Sequence, residues 1–200
     1  MDVEIRKLTP DLAEDYAAFF DTTPHNEKYK VKCYCVCWCG EDCEGKDLST
    51  KKARRDYALR CVADGRIQGY FAYYGGVAVG WCNANTKSDC LKCAGWRGMN
   101  GVRRGFIPTE ESTPEIKVKS IFCFVVAPEM RRRGVASLLL ARVCGDAAEE
   151  GFDYAEAYPE KEITAKCEDF MGHAEMYKKF GFTTYHETKR KLVMRKKLRT

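Results

Sequence analysis

The sequence has no run of about 18 apolar residues, so hydropathy gives it no membrane-crossing helix. It has no internal repeat and no low-complexity linker to divide it. It lacks Gly-x-x-x-x-Gly-Lys-Ser/Thr, which excludes a P-loop, and no Gly-x-Gly-x-x-Gly stands at a strand-to-helix turn, which excludes a Rossmann fingerprint. A large excess of one charge sign is also missing. Lys plus Arg is 34 against 29 for Asp plus Glu, a net charge of +5. That mild balance favours anionic ligands but is no signature of a nucleic-acid protein. With 45% apolar residues over 200 positions, the chain is neither disordered nor too short for a substantial core.

Cysteine is plentiful, at 12 residues. Met1–Lys7 carries no apolar stretch of the signal-peptide kind, so the expectation is a cytoplasmic chain with reduced thiols. Alternation over Val3–Leu8 predicts a first strand. Thr9-Pro10 reads as a helix start, with Leu12, Tyr16, Phe19 and Phe20 at helical spacing. A second helix is expected over Asp47–Ala63, capped by Ser49 or Thr50 and closed by Gly65. Gly75-Gly76 reads as a primed two-residue turn joining strands Ile67–Tyr74 and Val77–Asn83. Lys87–Pro114 shows no clear period and reads as a long functional loop.

Further along, Ile116–Val126 is the strongest strand signal. A helix over Gly134–Glu150 follows, with Val135, Leu138, Leu139, Ala141 and Val143 available to its buried side. Next come a strand at Tyr154–Tyr158, a helix at Phe170–Phe180, and strands at Thr183–Glu187 and Lys191–Lys197. The order β-α-α-β-β-β-α-β-α-β-β implies one α/β domain over residues 1–200, with helices packed on a mixed sheet.

The chemistry concentrates where the strand ending Phe122-Cys-Phe-Val-Val126 runs through Arg131-Arg132-Arg133-Gly134 into a helix. A helix start leaves about four backbone N–H groups without intrahelical partners, and its macrodipole places about half a positive charge there. Arginines beside it make a site for phosphate or pyrophosphate, and Gly134 and Ala136 let an anion approach the backbone. The spacing Arg131-x-x-Gly134-x-Ala136 resembles the acetyl-CoA motif of the GCN5-related N-acetyltransferase (GNAT) superfamily. Tyr177-Lys-Lys-Phe-Gly181-Phe182 resembles that superfamily's Tyr-x-x-x-Gly-Phe ending. Gly80-Trp81-Cys82-Asn83-Ala84 and Cys33-Tyr34-Cys35 are similar to a cysteine-rich bacterial branch.

The resemblance implies a GNAT fold with its cofactor core at about 116–182, and acetyl-CoA as co-substrate. Backbone groups of Phe124, Val125 and Val126 would pair with the pantetheine arm as an added strand. N–H groups from Arg131, Arg132, Arg133, Gly134, Val135 and Ala136 would hold the pyrophosphate, and Ser137 would add a hydroxyl. Many members carry Gly where this chain has Arg132. Tyr177 matches the tyrosine that protonates the departing thiolate, and its alternative role is to pack the helix on the sheet. No carboxylate stands on the fourth strand, so Glu156, Glu168 or a water relay is left as the base. His173, one helical turn before Tyr177, is a further candidate.

An extended Cys33–Cys39 segment would put four sulfurs on one face. Reduced cysteines there act as small apolar residues, with Tyr34, Trp38 and Trp81 walling an acceptor pocket. Cys90-x-x-Cys93 with Cys-x-Cys is an atypical zinc spacing, and no metal is expected. The basic runs Lys51–Arg55 and Lys189–Arg199 lack interleaved stacking aromatics, so neither nucleic acid nor membrane is expected as partner. The expected activity is acetyl transfer to a primary amine of a small molecule or peptide. The alternative is a non-catalytic acyl-CoA or metal sensor. Oligomeric state is left open, with a homodimer allowed.

Overall fold

The computed structural model describes residues 2–23, 32–39, 45–90, 115–162 and 170–199. Seven strands form one sheet in the order β1-β2-β3-β4-β5-β7-β6. They are β1 Glu4–Lys7, β2 Gly69–Tyr74, β3 Val77–Thr86, β4 Val118–Val126, β5 Tyr154–Ala157, β6 Thr183–Glu187 and β7 Leu192–Lys197. Every pairing is antiparallel except β4 with β5, which are parallel. That exception requires a crossover, supplied by the helix between them.

The helices are α1 Ala13–Thr22, α2 Lys51–Ala63, α3 Lys87–Cys90, α4 Val135–Glu149 and α5 Ala174–Lys179. The expected element order is found. Short 3-10 turns are added at Pro10–Leu12, Val36–Trp38 and Pro128–Met130, and one extra helical turn, α3, lies inside the stretch read as a loop. Local signals explain the boundaries. Thr50 caps α2 by accepting the Ala53 N–H at 3.1 Å, and the Gly75-Gly76 turn has φ of 58° and 79°, which a primed hairpin needs. Thr9 makes no side-chain cap; Pro10 instead opens a 3-10 turn before α1.

Each face of the sheet carries its own core. Under α1 and α2 lie Tyr16, Phe20, Phe71, Trp81, Phe122 and Tyr158. Under α4 and α5 lie Ile121, Leu139, Leu140, Val143, Tyr177 and Met194. Burial of each large side chain contributes about 2–3 kcal/mol. Two of the residues expected on the buried side of α4 are exposed: Leu138 and Ala141 face solvent, while Leu140 and Ala147 take the core positions. Gly80 sets the approach of α4 to the sheet, because a Cβ there would stand 2.8 Å from Val135 Cγ1.

The Cys33–Cys39 segment departs from expectation. Tyr34 and Cys35 both have left-handed backbone, φ 50° and 47°, and Val36–Trp38 is a 3-10 turn. The segment is therefore not a strand, and its sulfurs do not share one face. Cys35 and Cys39 are buried while Cys33 and Cys37 are half-buried. Cys43, Cys93, Glu168 and the 91–114 part of the expected loop lie outside the described residues.

Asp21 ties this segment to α2. Tyr34 donates its hydroxyl to Asp21 Oδ1 at 2.5 Å, Lys51 Nζ lies 3.0 Å from the same oxygen, and Arg55 Nε donates to Oδ2 at 2.9 Å. Partial burial works against the charged form, but these three donors outweigh it and hold the carboxyl at about 2, from an ordinary 3.8. A depressed folded value means the stabilisation is present above about pH 4 and is lost as pH falls toward 2. Asp21→Asn should therefore cost about 1–2 kcal/mol at pH 7, with the difference from wild type vanishing near pH 2, measured by urea unfolding across that range.

Candidate active site

The site starts from an irregularity in β4. Asn83 pairs with Cys123 but its neighbour Ala84 pairs with Ile121, so Phe122 is an extra residue without a partner on β3. A bulge bends its strand and increases the local twist. Pairing between β4 and β5 ends at the same place, with Ile121 opposite Ala157. From Cys123 to Val126, β4 stays paired with β3, and among the described residues no strand pairs with its other edge.

Two backbone bonds fix which groups face that edge. The Ala127 N–H donates to the Val79 carbonyl on β3 at 2.9 Å, and the Phe124 N–H donates the other way, to the Phe170 carbonyl at 2.6 Å. Strand alternation then points Phe124 and Val126 toward the opening and Val125 toward β3. Val125 is thus unsuited to pairing with an added strand, a correction to the three-residue expectation. The Val126 carbonyl accepts Arg131 Nε at 3.1 Å, and the Phe170 carbonyl already sits where an added strand would meet Phe124.

The edge leads into the basic turn. Arg131, Arg132 and Arg133 are exposed, Arg132 has φ 59° and Gly134 φ 83°. No side chain caps α4, and a Cβ at Gly134 would meet nothing within 4 Å. The first intrahelical bond is from Leu138 N–H to the Gly134 carbonyl at 3.0 Å. The amides of Val135, Ala136 and Ser137 therefore open the helix beside three guanidinium groups, as an anion site requires. Gly is the natural residue at a left-handed position, which explains physically why Arg132 is the odd residue in this turn.

Tyr177 is fully buried, packs on Phe182 and donates its hydroxyl to the Met171 carbonyl at 2.6 Å. Gly172, at φ 81°, lies against it, since a Cβ there would stand 3.0 Å from that hydroxyl. Met171 follows Phe170, so the tyrosine secures the same segment that covers Phe124. His173 is exposed at the N-cap of α5.

Glu156 differs from expectation. One oxygen accepts Lys87 Nζ at 2.6 Å and the Tyr158 hydroxyl at 2.6 Å; the other accepts Arg195 Nε at 2.5 Å. Ser120 Oγ lies 2.8 Å from the Tyr158 hydroxyl. The whole group is buried. With both oxygens engaged by donors and no exposure, Glu156 is a structural anion in a paired network and is not placed to take a proton from an amine. Burial first, then Glu156, push the Tyr158 hydroxyl well above its ordinary value. Lys87, Ser120, Tyr158 and Arg195 are not singled out from the sequence, because Ser120 and Arg195 meet Glu156 through the register of β4, β5 and β7, while Lys87 comes from α3 and Tyr158 from just beyond β5.

The expected pocket residues are core. Tyr34, Trp38 and Trp81 are 0%, 4% and 0% exposed. Trp38 stacks on Phe122 with centroids 4.2 Å apart, and Trp81 donates its indole N–H to Cys35 Sγ at 3.3 Å. The left-handed turn at Tyr34–Cys35 draws Tyr34 and Trp38 into the core, where β3 also places Trp81. Among the described residues no three His, Cys, Asp or Glu side chains are grouped to hold a metal ion, and no helix is long and apolar enough to cross a membrane.

The fold is shared with solved acetyltransferases. An N-acetyltransferase from Staphylococcus aureus Mu50 aligns over 100% of both chains at TM-score 0.53 and 13% identity. The PaiA N-acetyltransferase from Thermoplasma acidophilum, solved with coenzyme A, aligns over 98% of this chain and 99% of its own, at TM-score 0.54 and 13% identity. A GNAT-family protein from Desulfovibrio desulfuricans aligns over 99% and 100%, at 0.52 and 14%. No curated protein matches the sequence. The acetyltransferase (GNAT) family pattern matches residues 33–182. The chain belongs to that family.

Replacing the left-handed Arg132 by glycine relieves a backbone cost of about 1 kcal/mol. Arg132→Gly should raise the thermal midpoint by a few degrees, read by calorimetry, with an unchanged or lower midpoint counting against the assigned turn.

Proposed function

We propose that this protein transfers an acetyl group from acetyl-CoA to a primary amine of a small molecule or peptide, by direct attack on the thioester. The observation that carries the reading is the continuity of one surface. The edge of β4 that carries Phe124 and Val126 leads through the Pro128–Met130 turn to the uncapped, glycine-opened start of α4. An extended arm ending in a pyrophosphate has that shape and polarity, and the related Thermoplasma protein holds coenzyme A.

In this reading Val126 and Phe124 pair with the pantetheine arm. The amides of Gly134, Val135, Ala136 and Ser137, with Arg131, Arg132 and Arg133 around them, meet the pyrophosphate. Loading displaces the Phe170 carbonyl from the Phe124 amide. Because Tyr177 holds the adjoining Met171 carbonyl, the same displacement frees its hydroxyl toward the gap. The amine attacks the thioester carbon, the oxyanion is met by hydrogen-bond donors at the strand edge, and Tyr177 protonates the CoA thiolate as it leaves. With Glu156 fully engaged, the amine proton passes to water rather than to a dedicated carboxylate.

Acetyl-CoA titrated into the folded protein should give saturable heat. Absence of binding at millimolar ligand would remove the cofactor assignment. Neutralising Arg131 and Arg133 together should weaken CoA by about tenfold while leaving a pantetheine fragment without phosphates nearly unaffected, since charge-assisted phosphate contacts are worth about 1.5–3 kcal/mol each before solvent screening. Equal losses for both ligands would place the arginines away from the phosphates. Tyr177→Phe should lower turnover at least tenfold with acetyl-CoA affinity nearly unchanged, the typical reach of acid catalysis being about 10²–10⁴. An unaltered rate would assign thiolate protonation to water.

A further inference from the structure

A primary amine stands on the far side of the opening beside β4. Beyond Ala157 the chain leaves β4 but stays with β7. The Leu192 N–H donates to the Pro159 carbonyl at 2.9 Å, the Lys161 N–H donates to the Arg190 carbonyl at 2.8 Å, and Glu160 bridges to Lys191. Tyr158–Lys161 therefore forms the β5 side of the opening, as Cys123–Val126 forms the β4 side. Lys191 Nζ lies 2.9 Å from Glu160 Oε1, 3.5 Å from the Tyr158 carbonyl and 3.2 Å from Met171 Sδ. Arg190 Nε is 4.0 Å from the other Glu160 oxygen. Lys191 is 8% exposed, and Glu160 is half-buried.

Three groups converge on one dipeptide. The Phe170 carbonyl accepts the Phe124 N–H at 2.6 Å, the Met171 carbonyl accepts the Tyr177 hydroxyl at 2.6 Å, and Met171 Sδ meets Lys191 Nζ. Phe170–Met171 thus reaches from the β4 edge to the Lys191 side. The strand-edge amide, the phenol and the amine are each one contact away from it. A ligand that takes the place of this dipeptide meets all three.

We propose that Lys191 is a self-acetylation site, taking its acetyl group from acetyl-CoA held in the opening of the same chain; this rests on the acetyl-CoA reading above. Displacing Phe170 from the Phe124 amide withdraws Met171 as well and uncovers Lys191 Nζ. The ammonium gives one proton to Glu160 Oε1, its carboxylate neighbour. The nitrogen lone pair attacks the thioester carbon, and the C–S bond breaks with its electron pair going to sulfur. Tyr177 protonates the sulfur and recovers its proton from the second one leaving the nitrogen. The sum is one lysine ammonium and one acetyl-CoA giving one acetyl-lysine amide, one CoA thiol and one proton, which passes from Glu160 to water. The amide carries no charge, so Glu160 loses its pairing with Lys191.

Burial separates this transfer from ordinary chemical acetylation. Acetyl-CoA in solution reaches exposed amines first, and Lys52 and Lys197 are exposed whereas Lys191 is buried. Modification of Lys191 ahead of them requires delivery from within the fold.

The test is peptide mapping of the folded wild-type chain after incubation with acetyl-CoA, with binding heat read on the same preparation. Protein synthesised in an extract depleted of acetyl-CoA starts unmodified. Acetylation blocks trypsin at Lys191, so the modified chain yields peptide Lys191–Arg195 and the unmodified chain yields Leu192–Arg195. Lys191 should be acetylated at least tenfold faster than Lys52 and Lys197, at a first-order rate unchanged on dilution of the protein. Excess desulfo-CoA should suppress that rate at least tenfold, and Glu160→Gln should slow it at least tenfold. Binding heat with Lys191 unmodified, or modified no faster than Lys52, would overturn the proposal and leave the cofactor reading standing. Absence of binding heat would remove the cofactor reading itself. A rate rising with protein concentration would overturn transfer within one chain, and an unchanged rate in Glu160→Gln would overturn the proton route.

Discussion

The extra residue at Phe122 is the constraint on which the rest depends. A regular β4 would stay paired with β5 beyond Ile121 and Ala157. The bulge instead turns β4 away, and the backbone groups of Phe124 and Val126 are left at an edge that would otherwise be closed. An unpaired edge in the middle of a sheet is costly, since its amides must find partners. Among the described residues the Phe124 amide finds its partner in the Phe170 carbonyl.

The closed end of the split is held by charge. Ser120, Glu156 and Arg195 stand in one row across β4, β5 and β7, with Lys87 and Tyr158 reaching in. Removing one partner from a buried ionic group costs about 3–5 kcal/mol, because the remaining charge is left without compensation. The network therefore makes the register at this end hard to change. Immediately beyond it Tyr158 stacks on Phe122, which stacks on Trp38. The opening is thus hinged on a satisfied polar layer backed by an aromatic one.

Strain lies at two places and has different supports in each. At Arg132 the left-handed turn lies on the surface, and its cost is that of one side chain in a glycine conformation. At Tyr34 and Cys35 it is buried and held by hydrogen bonds from Tyr16 and Trp81. Because those donors come from α1 and β3, the conformation of the Cys33–Cys39 segment is dictated by packing and not by its own propensities.

Much of the architecture was legible in the residues. Paired glycines at 75 and 76 demanded a primed turn, periodicity marked α1 and α4, cap residues and Gly65 marked α2, and a strand running through Arg131–Gly134 into a helix announced an anion site. Such signals are local, because a turn, a cap or an amphipathic face is decided within a few residues. Glu156 read as a free carboxylate, and Tyr34, Trp38 and Trp81 as pocket walls, because their partners lie dozens of residues away. Only strand register brings Arg195 to Glu156, Lys87 reaches it from α3, and only the inward turn at Tyr34–Cys35 puts Cys35 against Trp81. The chain by itself determined its elements, their order and the basic helix start. The tertiary structure decided which charges are spent on one another, which amides face the edge of β4 and which aromatic rings close the core, since each of these depends on distance between segments that the sequence keeps far apart.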